Sequence, residues 1–178
     1  MPPVARDRRI SENEIERLLF ALGYDYANPP VTATARVGAA LLFAIETAMR
    51  AGEICGLTRD RIDLDARVAT LPMTKNGSAR KVPLSAEALR LLRQVMAAHD
   101  DDRAFAITTQ QIDALFRKAK SRAMIADLHF HDSRAEALTR LARKVDVLTL
   151  ARISGHRDLK MLMVYYRESA EDIARKLD

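Results

Sequence analysis

Six side chains of the sequence are of the types that transfer of a phosphoryl group requires. Guanidiniums can hold a phosphodiester through paired hydrogen bonds and can neutralise charge on its oxygens. A tyrosine hydroxyl can attack phosphorus if a base or a charged partner compensates for its ordinary pKa of about 10. A lysine or a histidine can protonate the leaving 5′-oxygen. The candidates are Arg50, Lys75, His131, Arg134, His156 and Tyr165.

The set is more informative than its members. Lys75 lies at an expected hairpin turn, where lysines are common, and Tyr165 with Tyr166 could be a packed aromatic pair. His131 and Arg134 are three residues apart, so they share one face at the start of a helix. Together the six residues supply what phosphoryl transfer needs, without an acidic cluster suited to a metal. The sequence therefore predicts no metal and no cofactor.

Positive charge is concentrated in one part of the chain. The protein has 29 Lys and Arg residues, 24 Asp and Glu residues and a net charge of +5. Residues 117–160 contain eleven basic and five acidic residues, so this segment holds more than the whole net charge. This distribution is typical of a surface that contacts nucleic acid, although a solvated basic helix face has the same composition.

The elements that must position these residues are mostly helical. Ser11 and Glu14 form a capping-box pattern, and apolar residues at helical spacing follow it as far as Gly23. The apolar pattern of residues 36–49 predicts a buried central helix. The pattern of residues 63–84 predicts short strands around the turn Asn76-Gly77. The fold class is mainly α with a small antiparallel β-sheet (α+β). Further helices are expected at 86–98, 110–124, 132–144, 148–153 and 159–166, and after Ser169, with Ile173 and Leu177 facing inward.

Length and composition indicate a single globular domain, residues 1–178. The chain is 48% hydrophobic and contains 6 Gly and 6 Pro, as folded domains do. The longest apolar stretch, residues 37–45, is too short for a membrane helix, and the first residues lack a hydrophobic signal region. We therefore expect a cytoplasmic protein without a membrane partner. The single cysteine, Cys55, excludes an internal disulfide and is expected to be a small core residue.

The order of the motifs resembles the catalytic domain of the tyrosine recombinases, the phage integrase family. The motifs are Thr47-Ala48-Met49-Arg50-Ala51-Gly52-Glu53, Lys75 before Arg80-Lys81-Val82-Pro83-Leu84, His131-Asp132-Ser133-Arg134, Gly155-His156 and Tyr165. The resemblance covers about residues 36–174. It implies the fold of that catalytic domain and a site-specific recombinase that cleaves and rejoins DNA without a metal.

The resemblance also implies a role for each candidate. Arg50 and Arg134 would clamp the scissile phosphate, and His156 would hydrogen-bond it. Lys75 would protonate the leaving 5′-oxygen, and His131 would assist the nucleophile. Tyr165 would form a 3′-phosphotyrosine, because the family's nucleophile stands nine residues after the histidine of Gly-His.

The family's architecture implies the partners as well. Double-stranded DNA is the expected substrate, with a homo-tetramer assembled on DNA and a monomer in free solution. Residues 168–178 resemble the C-terminal helix that family members exchange between copies. About 35 residues precede the central helix, so the family's N-terminal DNA-clamping domain is expected to be absent. The sequence departs from the family at Ser133, at Ala135-Glu136 and at Ser154, where leucine is usual before Gly-His.

Two other functions are compatible with parts of the sequence. A metal-dependent phosphohydrolase could use His129, His131, Asp132 and His156, but His99 is the one further histidine and additional ligands are missing. A non-catalytic helical DNA-binding protein would explain the basic segment but not the presence of all six catalytic-type residues. Formation of a covalent adduct with DNA separates the recombinase from a simple binder.

Overall fold

The structure, a computed structural model, describes residues 6–73 and 79–178. It confirms the expected fold class, because the described residues form α-helices and one small antiparallel sheet. The helices are α1 (Glu12–Leu22), α2 (Ala33–Thr47), α3 (Ala51–Gly56), α4 (Ala86–Met96), α5 (Thr109–Ala123), α6 (Asp132–Ala142), α7 (Val147–Ser154) and α8 (Ala170–Arg175). The strands are β1 (Ile62–Asp63), β2 (Val68–Leu71) and β3 (Arg80–Pro83).

Helix α2 forms the centre of the main core. It is apolar on nearly all sides and packs against α1, α4, α5 and α6, as a helix without a polar face must. Val37, Leu41 and Phe43 are fully buried, and Cys55 is buried as expected. In the part of the chain that the structure describes, no helix is both long and apolar enough to span a bilayer.

The sheet carries the strand that reaches towards α7. Its order is β1-β2-β3, with Ala69 paired to Ile62 on one side and to Val82 on the other. Arg80 pairs with Leu71 at the end of the ladder, and β3 packs against α7. The candidate Lys75 lies outside the described residues.

A second, smaller cluster joins the end of α2 to α6, α7 and the segment before the two tyrosines. Its buried residues are Ala48, Ala137, Leu138, Leu150 and Leu162. Tyr165 and Tyr166 pack against this cluster and are partly buried. Burial of Leu162 therefore anchors the tyrosine segment beside α6 and α7.

Two predictions for the C-terminal part were wrong. The helix expected at 159–166 is a pair of short 3₁₀ turns, Leu159–Met161 and Met163–Tyr165. Leu162 is buried, but the other apolar residues Leu159, Met161, Met163 and Val164 are exposed, so the segment lacks the apolar face that a packed helix buries. Ile173 and Leu177 were expected to face inward, but they are 47% and 81% exposed. Helix α8 buries none of its residues because it does not pack onto the core.

Candidate active site

Arg134 is held in the interior by backbone carbonyl oxygens. Its Nη2 donates to the carbonyl of Ser154 at 2.8 Å, and its Nη1 donates to the carbonyl of Ala48. These carbonyls stand at the C-terminal ends of α7 and α2, where the last carbonyls of a helix lack intrahelical partners and the helix dipole is negative. Two helix ends thus bind and orient one guanidinium.

The charge of Arg134 is not cancelled by a carboxylate. The residue is only 6% exposed, and among residues 6–73 and 79–178 no acidic side chain forms an ion pair with it. Burial, together with the charges of Arg50 and Arg80, lowers the pKa of Arg134 to about 10. The guanidinium is still protonated at neutral pH, so an anion that enters here meets a buried positive charge.

Arg50 lies between the end of α2 and the start of α3. Ala48 adopts a left-handed conformation with φ of 59° and ends α2, and α3 begins directly after Arg50. The backbone N–H of Arg50 donates to Glu53 Oε1 at 2.9 Å, and its Nη1 lies 3.7 Å from the same oxygen. The Arg50 side chain remains 31% exposed, so it can contact a ligand from solvent.

Glu53 and Arg80 belong to this site, although the sequence analysis did not select them. Two hydrogen bonds of 2.5 and 2.9 Å join Glu53 to Arg80, and both side chains are nearly buried. Arg80 Nε also donates to the carbonyl of Ile153 at 2.8 Å. Burial raises the pKa of Glu53, but the hydrogen bonds from Arg80 and Arg50 lower it below the ordinary value.

A sequence signal exists for one of the two residues. Glu53 is the third residue of α3. A glutamate at this position accepts a hydrogen bond from the backbone N–H of the residue that precedes the helix, here Arg50. No comparable signal marks Arg80, because strand alternation alone does not reveal which arginine is buried.

The two histidines lie in the field of the arginines. His131 directly precedes α6, and its carbonyl accepts the Arg134 N–H at 3.0 Å. Loss of hydration, followed by the charges of Arg134 and Arg50, lowers the pKa of His131. Burial and the charges of Arg134, Arg50 and Arg80 lower the pKa of His156 to about 4. Both imidazoles are therefore neutral at pH 7.

The adjacent tyrosines have different surroundings. The hydroxyl of Tyr166 donates to the carbonyl of Val145 at 2.7 Å. The Tyr165 hydroxyl has no hydrogen-bond partner within the described ranges 6–73 and 79–178, and Tyr165 lies in the field of Arg134 and Arg9. Burial raises the pKa of Tyr165 and these two charges lower it, with burial the larger effect. Tyr165 is thus the tyrosine that feels the charges of Arg134 and Arg9, while the Tyr166 hydroxyl is bound to Val145.

The structure brings five of the six candidates together; Lys75 falls in the undescribed segment. We call these five residues, together with Arg80, the cation centre: Arg50, Arg80, Arg134, His131, His156 and Tyr165. An open cleft beside it is lined by further cations, Lys81, Arg152 and Arg157. Such a centre can hold a phosphodiester against the Tyr165 hydroxyl.

The residues of the alternative metal site are engaged differently. Asp132 accepts a hydrogen bond from Arg6 Nε at 2.6 Å and another from the His129 backbone N–H at 2.7 Å. Over residues 6–73 and 79–178, no three His, Cys, Asp or Glu side chains are grouped as metal ligands. In this structure Asp132 is therefore engaged by Arg6 and by the backbone of His129.

Comparisons with known proteins agree with this geometry. Residues 8–172 match the model of the phage integrase family. A Haemophilus influenzae protein described as an integrase/recombinase is 50% identical over 170 residues, which are 92% of this chain and 46% of that protein. The chain spans about half the length of the curated relatives it matches.

Solved structures show the same fold. The catalytic domain of bacteriophage HP1 integrase matches with a TM-score of 0.69 and 22% identity, over 97% of this chain and 96% of that domain. A lambda integrase tetramer bound to a Holliday junction matches with a TM-score of 0.69 and 16% identity, over 88% of this chain and 48% of that chain.

Proposed function

The chain belongs to the phage integrase family, and on that premise we propose that it is the catalytic part of a site-specific DNA recombinase. The observation that supports this most is the cation centre, where Arg134 is buried without a carboxylate partner beside Arg50 and Tyr165. A phosphodiester supplies the missing negative charge. The hydroxyl of Tyr165 supplies the nucleophile.

The proposed reaction is metal-independent exchange of phosphoester bonds. The Tyr165 oxygen attacks the phosphorus, the bond to the 5′-oxygen breaks, and a 3′-phosphotyrosine forms. Neutral His131 accepts the tyrosine proton, and Lys75 gives a proton to the leaving 5′-oxygen. A 5′-hydroxyl of another strand then attacks the phosphotyrosine, which rejoins DNA and releases Tyr165.

The arginines and His156 stabilise the transition state in this proposal. Arg50 and Arg134 hold the nonbridging oxygens, and charge that develops there is met by donors already in place. His156 donates a hydrogen bond to the same phosphate. Because helix-end carbonyls fix Arg134 before substrate arrives, little reorganisation is needed when DNA binds.

A covalent adduct tests the proposal directly. The protein is incubated with a nicked duplex whose cleavage product cannot rejoin, in the presence of a chelator, and the mixture is separated under denaturing conditions. We expect a protein–DNA adduct that survives denaturation and the chelator. A complex that binds DNA but forms no adduct would indicate a non-catalytic binder, and an adduct that the chelator abolishes would indicate metal chemistry.

The role of Lys75 needs its own test. We expect Lys75→Ala to slow cleavage of ordinary DNA. A duplex with sulfur in place of the bridging 5′-oxygen should largely restore the rate, because a thiolate leaves without protonation. Equal impairment on both substrates would show that Lys75 is not the acid.

Assembly on DNA is the last part of the proposal. The segment 168–178 would pass to a neighbouring copy in a homo-tetramer formed on double-stranded DNA. The exposed Ile173 and Leu177 support this, since α8 buries nothing in its own chain. Sedimentation without DNA should show a monomer, and a stable tetramer under that condition would contradict the proposal.

A further inference from the structure

Ser154 stands where α7 ends beside the cation centre. It is the last residue of α7, it is fully buried, and Gly155 then turns the chain with φ of 80° towards His156. Its carbonyl oxygen accepts the hydrogen bond from Arg134 Nη2, and its side chain contacts His156. The Ser154 Oγ lies 2.7 Å from Nδ1 of His156.

The hydrogen bonds around His156 define which ring nitrogen carries the proton. Arg134 Nη2 lies 3.4 Å from the same Nδ1 atom. A guanidinium can donate hydrogen bonds but cannot accept them, so Nδ1 must be the acceptor. The Ser154 hydroxyl then donates to Nδ1 as well. In a neutral imidazole this arrangement puts the proton on Nε2.

We propose that Ser154 is a positioning residue that fixes His156 in the tautomer with the proton on Nε2, so that the ring offers a hydrogen-bond donor to the phosphodiester. This inference rests on the proposed function. Within the described residues 6–73 and 79–178, Nε2 has no hydrogen-bond partner, so it is available to a ligand. The opposite tautomer would present a lone pair from Nε2 to an anionic oxygen, and the two would repel each other.

The tautomer matters here because protonation does not supply the donor. Burial, followed by the charges of Arg134, Arg50 and Arg80, lowers the pKa of His156 to about 4 and keeps its ring neutral in the free protein at pH 7. Glu53 reduces this field only in part, since it pairs with Arg80. A neutral ring donates from one nitrogen alone, and Ser154 provides the shorter of the two contacts that select that nitrogen.

The test compares two variants that each remove one hydroxyl from α7. Ser154→Ala removes the hydroxyl next to His156. Thr149→Ala is the matched control, because the Thr149 hydroxyl donates to Asp146 at 3.0 Å instead. The full chain, labelled with ¹⁵N in the histidine rings, is examined by NMR, and the rate of adduct formation on the nicked duplex is measured in a single turnover.

We expect the unsubstituted chain to show a protonated Nε2 and an unprotonated Nδ1 at His156. Ser154→Ala should populate both tautomers and slow adduct formation about tenfold, as loss of one hydrogen bond does. Thr149→Ala should leave both readouts unchanged. Unchanged spectra of His156 in Ser154→Ala would overturn the inference, whatever the rate.

The proposed function can fail separately. If the unsubstituted chain formed no adduct, the recombinase proposal and the donor role of His156 would both be refuted. The NMR spectra would then still report whether Ser154 sets the tautomer. A slower Ser154→Ala with an unaltered tautomer would assign the effect to packing and reject a positioning role.

Discussion

Two arginines on different sides of α6 differ in what holds them. Arg134 is bound by the carbonyl oxygens of Ala48 and Ser154. Arg9, in the segment before α1, is bound by both carboxylate oxygens of Glu136 at 2.7 and 3.1 Å. Carbonyl oxygens satisfy the hydrogen bonds of a guanidinium without adding an opposite charge, whereas a carboxylate also offsets the positive charge.

The positions along α6 explain this separation. Asp132 and Glu136 are four residues apart on one face, where they meet Arg6 and Arg9, and Arg134 lies between them in sequence and points to another side. Arginines of the N-terminal segment therefore fasten α6 by ion pairs. The same helix presents the uncompensated charge of Arg134 to the cation centre, so one element forms ion pairs on one face and, in the proposed reaction, binds the phosphate on another.

The largest effect should follow substitution in the cation centre. We expect Arg50→Ala and Arg134→Ala each to slow adduct formation by about 10² to 10³, the usual effect of losing one donor to a transition-state oxyanion. Both variants should keep the fold of the unsubstituted chain. Rates on the nicked duplex and circular dichroism spectra of each variant measure the two quantities.

An exposed arginine outside the cation centre provides the control. Arg93 is exposed on α4, and Arg93→Ala should cleave DNA at the rate of the unsubstituted chain. A large loss of rate in Arg93→Ala, or a small one in Arg134→Ala, would remove the distinction between the cation centre and the other arginines.

The next effect concerns stability within the site. Glu53→Gln should lower the free energy of unfolding by about 3 kcal/mol, because it leaves the buried charge of Arg80 without its carboxylate. Urea unfolding measures the change. Asp113→Asn removes an exposed ion pair with Arg117 and should change the stability little. Equal effects in the two variants would mean that burial does not decide the strength of these pairs.

A smaller loss is expected on the opposite face of α6. Arg9→Ala should lower the free energy of unfolding by about 1 kcal/mol, since the Arg9 side chain is half exposed and Arg140 still contacts Glu136. Adduct formation should fall far less than in Arg134→Ala, because Glu136 offsets the charge of Arg9 and Arg9 affects the Tyr165 hydroxyl less than Arg134 does. If cleavage fell as steeply in Arg9→Ala as in Arg134→Ala, the division of tasks between the two faces would be wrong.

The stability of the chain should also depend on pH. The pKa of His156 is about 4 in the folded chain and about 6.5 when unfolded, so the unfolded chain binds the proton first. The free energy of unfolding should therefore fall as the pH decreases from about 6.5 to about 4. His156→Gln should reduce this slope, which urea midpoints at pH 7 and pH 5 can show. An identical slope in His156→Gln would contradict the assignment.

The sequence predicted the fold and most of the centre because the relevant signals are local. Caps, apolar periodicity and motif order put Arg50 and His156 just after helices and His131 with Arg134 at a helix start, as observed, whereas Tyr165 was expected in a helix and lies in a 3₁₀ turn. The 3₁₀ turns at 159–165 were missed because Leu162 is buried in the second, smaller cluster. The periodicity of apolar residues does not reveal such tertiary packing.

Long-range pairing was the part that sequence could not supply. Arg9 meets Glu136 across 127 positions, and Arg80 meets Glu53 across 27. The carbonyls that hold Arg134 belong to two helix ends, and any residue type could provide them. Which arginines are paired with a carboxylate and which are not therefore became visible only in three dimensions.

The central claim is that the cation centre binds the scissile phosphate and that this phosphate becomes attached to Tyr165. One measurement tests it most directly. Adducts trapped on the nicked duplex are digested, and the peptide that carries DNA is identified for the unsubstituted chain, Tyr165→Phe and Tyr166→Phe. The account predicts phosphate on Tyr165, no adduct in Tyr165→Phe despite normal folding and DNA binding, and a retained adduct in Tyr166→Phe, whose hydroxyl otherwise bonds to Val145. Phosphate on Tyr166, or an adduct that persists in Tyr165→Phe, would contradict it.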